Sequence, residues 1–232
     1  MISPSFVSLM NRKRPFKWAP GTVSLTCDGN GLTATDSVIP SYPLLLKYIP
    51  PVSDASIRQV NNIAHNGYTA ADMLANNMAT VTDAFNSACK YNVLIVWELA
   101  NSIQKGSSPS EAVDQVMAYV QAAKQARPWK VVVVTAIPLW RPKINQISTQ
   151  QNIDAYNNDV VSANNLLMQR YSLFADICVD LRATNSPFNF ASYEENAFIS
   201  SRLYTDISSK CSTYGNRVIA RIIARSLSNI PD

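Results

Sequence analysis

The sequence predicts an α/β protein, a three-layer α/β/α sandwich with a five-stranded parallel sheet. Two continuous apolar runs, 93–99 and 130–137, are typical of strands that are buried on both faces. Five strand-like segments alternate with helical segments, and this order favours a parallel sheet covered by helices on both sides. With 232 residues, 47% of them apolar, the chain has enough material for one large domain.

Five segments have the composition of strands. In chain order they are 23–26, 57–64, 93–99, 130–137 and 177–181. The first ends at a glycine-containing turn, 28–31. The fourth contains four consecutive valines and stops at Pro138, which has no N–H to donate to a strand ladder.

Six segments have helical patterns. They are 40–49, 69–78, 81–90, 109–127, 150–171 and 214–227. The fourth begins with Pro109, and either Ser108 or Ser110 suits its N-cap. Residues 185–204 are rich in Asn, Ser and aromatic side chains, which predicts a loop with short turns.

Much of the net charge of +4 lies in the first residues of the chain. Arg12, Lys13, Arg14 and Lys17 mark residues 1–21 as a basic N-terminal arm, followed by a domain over 22–232. The arm is either a solvated segment or one that docks on an acidic partner or on nucleic acid. Because no basic stripe along a helix or face is evident, we do not expect a nucleic-acid partner for the domain.

The spacing of the cysteines indicates whether the chain binds a metal, and the length of its apolar runs indicates whether it spans a membrane. Cys27, Cys89, Cys178 and Cys211 form no CxxC pair and have no histidine near them in sequence, so we expect neither a metal nor another cofactor. Three of the four lie beside or within apolar runs, and we expect these to be buried thiols. No signal peptide is recognisable, and no apolar run approaches the ~18 residues of a membrane span. We therefore expect a soluble protein, cytoplasmic or virion-associated, with no membrane partner.

Unusual residues follow the predicted strands, at the edge where ligands bind in such sheets. Gly29-Asn30-Gly31-Leu32-Thr33 follows the first strand, Asn66-Gly67-Tyr68-Thr69 the second, and Leu99-Ala100-Asn101-Ser102 the third. Near the C-terminus, Tyr204-Thr205-Asp206 precedes Ser209, Lys210 and Tyr214-Gly215. Four such blocks in this order resemble those of the SGNH (GDSL-type) hydrolases, over nearly the whole chain.

The resemblance implies which residues take the family's site positions. Asn30 stands for the aspartate of the first block and Gly31 for its nucleophilic serine. Gly67 offers a backbone N–H to an oxyanion, and Asn101 matches the asparagine of the third block. In the last block Asp206 takes the place of the triad aspartate. Counting forward from Asp206 puts Ser209 on the histidine, whereas counting back from Gly215 suggests Lys210.

Two catalytic groups of the family are therefore missing. Gly31 has no side chain to attack an ester, and neither Ser209 nor Lys210 is an imidazole base. Loss of nucleophile or base costs on the order of 10⁶ in turnover. The resemblance thus indicates a natural pseudoenzyme that keeps a polar pocket at Gly67 and Asn101.

Several other residues are candidates for a ligand site. His65, the single histidine, is expected to border the cleft, either as a base or as a residue satisfied by its surroundings. Arg141, in the loop after the fourth strand, is a candidate ligand-binding cation. Trp97 and Trp140 suit sugar faces but are more often core residues. Thr33 fits a turn role.

Three functions remain open at this point. The first is a non-catalytic SGNH-like module that binds a glycan or an acylated small ligand. The second is an active esterase or deacetylase on acylated carbohydrate, with a rebuilt site around His65 and Asp206. The third is a purely structural subunit in which the family's cleft has become an interface. A carbohydrate-facing or virion-assembly role, with the N-terminal arm as the segment that docks on a protein partner, rests on analogy of fold with the family.

Overall fold

A five-stranded parallel sheet forms the centre of the computed structural model, which describes residues 23–29, 41–50, 52, 59–140, 149–205 and 208–230. Its strands are β1 (Val23–Gly29), β2 (Gln59–Asn62), β3 (Tyr91–Trp97), β4 (Lys130–Val134) and β5 (Ile177–Val179). They lie in the order β2-β1-β3-β4-β5, and every pairing is parallel. The predicted five-stranded parallel sheet is confirmed.

Helices follow most of the strands. They are α1 (Tyr42–Leu46), α2 (Ala70–Asn76), α3 (Met78–Asp83), α4 (Ala100–Gln104), α5 (Pro109–Ala126), α6 (Gln150–Arg170), α7 (Glu195–Ser201) and α8 (Thr213–Leu227). A short hairpin, β6 (Tyr204–Thr205) and β7 (Ser208–Cys211), precedes α8. Ser108 caps α5 in a reciprocal capping box with Glu111, which settles the choice between the two serines.

Two apolar cores lie on opposite faces of the sheet. Alternating residues of β3 divide between them, so Val93 and Ile95 join one core while Leu94 and Val96 join the other. The first core is covered by α1 and α8, and the second by α2, α5 and α6. The predicted three-layer α/β/α arrangement is therefore confirmed.

The predicted boundaries of the sheet need correction. β1 extends to Gly29 rather than residue 26, β3 spans 91–97 rather than 93–99, and β4 ends at Val134 rather than residue 137. β4 stops because the side chain of Asn164 binds both the N–H and the C=O of Ala136, each at 2.8 Å. Those peptide groups are then unavailable to a neighbouring strand. β5 likewise ends at Val179, and β2 lies within its predicted range.

The predicted helix over 81–90 is wrong. Helix α3 ends at Asp83, because the side chain of Asn92 binds the backbone N–H and C=O of Asn86 at 2.8 and 3.0 Å and holds a turn there. The preceding helix is also shorter than 69–78. It ends at Asn76, and the side chain of Asn77 points to the sheet, where it donates to Asp28 and to the carbonyl of Ile63.

The segment before the last helix is more regular than predicted. Residues 185–204 were expected to form a loop, but they contain α7, which ends where Arg202 adopts a left-handed conformation with φ 59°. The hairpin of β6 and β7 is also absent from the prediction. Helix α1 is shorter than the predicted 40–49, whereas α5, α6 and α8 match their predictions to within one residue at each end.

Candidate ligand site at the carboxyl edge of the sheet

The predicted site residues divide into two groups. Asn30, Gly31, Thr33, Arg141 and Asp206 lie outside the described residues, as does the N-terminal arm. Ser209 and Lys210 belong to β7 by their backbone, and their side chains are not described. The predictions for these seven residues therefore stay predictions. The structure does place Gly67, Asn101, His65, Trp97 and Trp140.

Gly67 and Asn101 belong to adjoining segments. The side-chain Nδ2 of Asn101 donates to the carbonyl oxygen of Tyr68, the residue after Gly67, at 2.8 Å. Gly67 has φ 77°, a conformation that favours glycine, and an added Cβ would meet no atom within 4 Å. The turn after β2 and the start of α4 are thus joined directly, and each contains one of the two donor residues that the family resemblance predicts.

Glu98 holds this junction together, and sequence analysis missed it. Its carboxylate is 1% exposed and lies directly after β3. It accepts from the backbone N–H groups of Ala70, Asn101 and Ser102 at 3.0, 2.9 and 3.1 Å, and from the hydroxyl of Ser102 at 2.8 Å. The carboxylate thereby satisfies N–H groups at the starts of α2 and α4, which have no partner within their own helices.

The environment of Glu98 favours its protonated form. Burial raises the pKa of this carboxyl from its usual 4.5 to about 7, and the hydrogen bonds from Ser102, Ala70 and Asn101 oppose part of that rise. Glu98 is therefore a buried group that titrates near neutral pH beside the Gly67–Asn101 pair. The sequence did contain a signal for this role, because Glu98 lies within the apolar run 93–99. A carboxylate that is buried in such a run needs hydrogen-bond donors or a cation nearby.

Asp28 forms a second buried carboxylate network that sequence analysis did not single out. It accepts from the backbone N–H of Gly29 at 2.8 Å, from Nδ2 of Asn77 at 2.7 Å and from the hydroxyl of Tyr119 at 2.5 Å. Burial raises its pKa, while these three donors counteract the rise. Tyr119 belongs to α5 and Asn77 lies between α2 and α3. The network therefore links the end of β1 to α5 and to the α2–α3 junction.

Gly29 closes β1 against the end of β3. Its φ is 98°, and a Cβ at this position would lie 2.3 Å from the carbonyl oxygen of Trp97. Position 29 therefore admits no side chain without movement of the backbone. The close approach gives Gly29 a structural reason to be glycine, separate from the family's serine position, which the family resemblance predicts to be Gly31.

His65 lies in the loop after β2, as expected, and its side chain is exposed. Its ring stacks on Tyr68, with centroids 4.6 Å apart and planes inclined by 20°. Tyr68 is also the residue whose carbonyl accepts from Asn101. The histidine therefore borders the Gly67–Asn101 pair, and its stacking partner is a neighbour in the same loop.

The two tryptophans are core residues. Trp97 is 4% exposed, donates its indole N–H to the carbonyl of Thr135 at 3.0 Å and packs edge-on against Tyr42. Trp140 is 2% exposed. Neither ring presents a face to a ligand, so the interpretation as core packing is confirmed and the sugar-platform interpretation is wrong for both.

The cysteines are free thiols. Cys27, Cys89 and Cys211 are buried and Cys178 is half-buried, as expected for structural thiols. Burial raises the pKa of Cys27, Cys178 and Cys211 to about 12, which makes them poor nucleophiles. Within the described ranges, no three His, Cys, Asp or Glu side chains are grouped so as to hold a metal ion. In the same ranges no helix is both long and apolar enough to cross a membrane.

Comparison with known proteins rests on structure. No protein-family model matches the sequence, and no curated protein matches it significantly. The chain is similar to a lipolytic protein of the G-D-S-L family from Veillonella parvula, with TM-score 0.63 and 11% identity over 89% of this chain and 99% of that one. It is also similar to LAE5, an α/β hydrolase from the metagenome of Lake Arreo in Spain, with TM-score 0.58 and 13% identity over 94% and 100% of the two chains.

The chain is similar to a third structure, a carbohydrate esterase of family 3 from Talaromyces cellulolyticus, with TM-score 0.56 and 16% identity over 88% of this chain and 95% of that one. The three alignments span nearly the whole length of both chains in each pair. At these identities the likeness establishes architecture. The chain therefore has the fold of the SGNH (GDSL-type) hydrolases.

Proposed function

We propose that this chain is a non-catalytic SGNH-type domain that binds an acylated carbohydrate at the carboxyl edge of its sheet. The observation that carries the proposal is the position of its one histidine. His65 lies after β2 and is stacked on Tyr68, whereas the family's base belongs to the block before the last helix. That block contains Ser209 and Lys210, and neither side chain is an imidazole. The reaction therefore lacks its general base as well as its serine.

The donors that remain suit binding. Asn101 is half-buried and is fixed through Tyr68 and Glu98, so its amide is held in place before any ligand arrives. Prior positioning of a polar group lowers the entropy cost of binding a carbonyl or hydroxyl oxygen. The carbohydrate esterase among the structural neighbours supports an acylated sugar as the ligand class. That support is an analogy of fold and not of site.

Two measurements test the proposal. The first is hydrolysis of p-nitrophenyl acetate by the wild type and by Asp206→Ala and His65→Ala. We expect a rate at buffer background that neither substitution changes. A clear rate that either substitution abolishes would overturn the non-catalytic assignment and establish an esterase with a rebuilt site.

The second measurement is binding to an array of acetylated and unacetylated oligosaccharides. We expect wild-type binding to acetylated members to be weakened by Asn101→Asp, which replaces the amide donor by a carboxylate. Asn158→Asp makes the same change at an exposed position of α6 and serves as the matched control. Equal binding by all three proteins, or no binding, would contradict the ligand class. A protein partner of the arm over 1–21 stays a separate prediction, because those residues lie outside the described ranges.

A further inference from the structure

The outward side of α1 and α8 is a basic face. The two helices pack against each other and cover the same side of the sheet. The basic face is defined by the exposed cations and large apolar side chains of residues 41–50 and 213–227, which are Leu44, Lys47, Tyr48, Tyr214, Arg217, Arg221 and Arg225. Residues 41–50 and 213–227 include no Asp or Glu. The face therefore combines cations with no acidic residue from either helix.

The arginines of α8 form a row. Arg217, Arg221 and Arg225 are spaced by four residues, and all three are exposed. Four residues of an α-helix rise about 6 Å, so the row spans about 12 Å along one side of the helix. The opposite side of α8 is buried in the core through Val218, Ile219 and other apolar residues. This basic row was not among the predictions, although three arginines spaced by four residues within a predicted helix are visible in the sequence.

Exposed apolar side chains accompany the cations. Six large hydrophobic side chains of the described residues are exposed, and three of them lie on the basic face. They are Leu44, Tyr48 and Tyr214, which are 43%, 69% and 44% exposed. Nζ of Lys47 lies 5.0 Å from the centre of the Tyr48 ring, so one cation and one aromatic ring share a site on this surface.

We propose that the basic face binds the surface of an anionic lipid bilayer. Cations near such a surface attract anionic headgroups, each raising affinity about fivefold. Tyr rings favour the boundary between headgroups and acyl chains, and an aliphatic side chain such as Leu44 gains by entering it. Arginine stems can pack against apolar surface while the guanidinium stays in the headgroup layer.

A bilayer fits these observations better than nucleic acid does. The phosphates of nucleic acid would bind the arginine row, but they offer nothing to an exposed leucine, and strand-binding proteins generally use a groove. The expectation of no membrane partner rested on the lack of a spanning segment, which does not bear on attachment to a surface. This inference is independent of the ligand proposed for the carboxyl edge.

Flotation with lipid vesicles tests the inference. We expect the full-length protein to bind vesicles of phosphatidylserine and phosphatidylcholine in equal parts, more weakly as salt is raised, and not to bind phosphatidylcholine alone. Arg217→Gln with Arg221→Gln should weaken binding about twenty-five-fold. The matched control, Lys90→Gln with Arg127→Gln, removes two exposed cations from outside this face and should leave binding unchanged.

A further variant separates the bilayer from nucleic acid. Leu44→Ser should weaken vesicle binding and leave any binding to a single-stranded oligonucleotide unchanged, because a nucleic acid gains nothing from an exposed leucine. The inference is overturned if wild-type protein does not bind anionic vesicles, or if both arginine and control pairs weaken binding equally. Tighter binding to the oligonucleotide than to the vesicles, lost with the arginine pair, would assign the face to nucleic acid instead. Thermal unfolding of each variant establishes that the compared proteins are folded.

Discussion

Oε2 of Glu98 accepts a hydrogen bond from the backbone N–H of Ala70 at 3.0 Å, which links the end of β3 to the first turn of α2. The same carboxylate binds the start of α4 through Asn101 and Ser102. One buried side chain thus sets the distance between the turn that contains Gly67 and the segment that contains Asn101. The candidate ligand site depends on this contact even though Glu98 itself is covered by protein.

Glu98→Gln should change how stability depends on pH. The folded-state pKa of Glu98 is about 7, above its usual 4.5, so the folded protein holds this proton more tightly than the unfolded chain does. The contribution of Glu98 to the free energy of unfolding is fully present below about pH 4.5 and is lost as pH rises through 7. The total fall is roughly 3 kcal/mol at most. Glutamine cannot titrate, so we expect the fall between pH 5 and 7 to become shallower.

Urea unfolding at several pH values measures this effect. Asp28 also has a raised pKa and keeps its own contribution in the variant, so part of the pH dependence should remain. An unchanged slope between pH 5 and 7 in Glu98→Gln would show that Glu98 does not titrate in this range.

Tyr119→Phe should destabilise the fold by about 1–3 kcal/mol. The change removes the hydroxyl that donates to Asp28 at 2.5 Å and leaves a buried carboxylate short of one donor. Tyr214→Phe makes the same change at an exposed ring of α8 and should alter the free energy of unfolding by less than about 0.5 kcal/mol. Chemical denaturation of both variants provides the comparison, and equal losses would argue against the Asp28 network.

Gly29→Ala should be much more damaging than Gly106→Ala. Both glycines have φ near 98°, so both substitutions carry the backbone strain of about 1–3 kcal/mol. At Gly29 the new Cβ would also lie 2.3 Å from the carbonyl of Trp97, whereas at Gly106 no atom lies within 4 Å. The difference between the two unfolding free energies therefore isolates the contact between β1 and β3, and no difference would mean that the strand ends separate easily.

Gly31→Ser should not create an esterase. The substitution supplies the nucleophile that the family resemblance assigns to this position, but the chain still has no histidine in the last block. A serine without its base leaves hydrolysis of p-nitrophenyl acetate near background. A clear gain would show that a base is already in place, and its loss in Gly31→Ser with His65→Ala would identify that base as His65.

Much of the architecture was predictable from local patterns. The valine run of β4 and the apolar run of β3 have the composition of buried strands in a parallel sheet, and both are strands in the structure. Ser108 and Glu111 have the spacing of a capping box in the sequence and form one in the structure. Boundaries were less predictable because distant side chains set them. Asn164, which belongs to α6, binds the backbone at the end of β4, and Asn92, which belongs to β3, holds the turn that follows α3. Neither contact has a signal in the local sequence.

The site was predictable only as far as the family blocks reach. Gly67 follows β2 and Asn101 follows β3, the two strands on either side of β1, and the structure joins their segments through Tyr68. Trp97 was a candidate for ligand contact in sequence, yet its indole N–H is satisfied within the core by Thr135. Whether an aromatic ring is buried depends on the packing of several elements, which a single segment does not specify.

The sequence by itself determined the fold class and the absence of any histidine after residue 65, since these depend only on residue types and their order. Tertiary structure decided the roles of Asp28 and Glu98, whose partners include Tyr119 and Ala70 from other elements. It also decided that three arginines of α8 are exposed while α8 packs against α1. A carboxylate is a charge in sequence, but only folding brings its donors within hydrogen-bonding distance and removes the water that would otherwise solvate it.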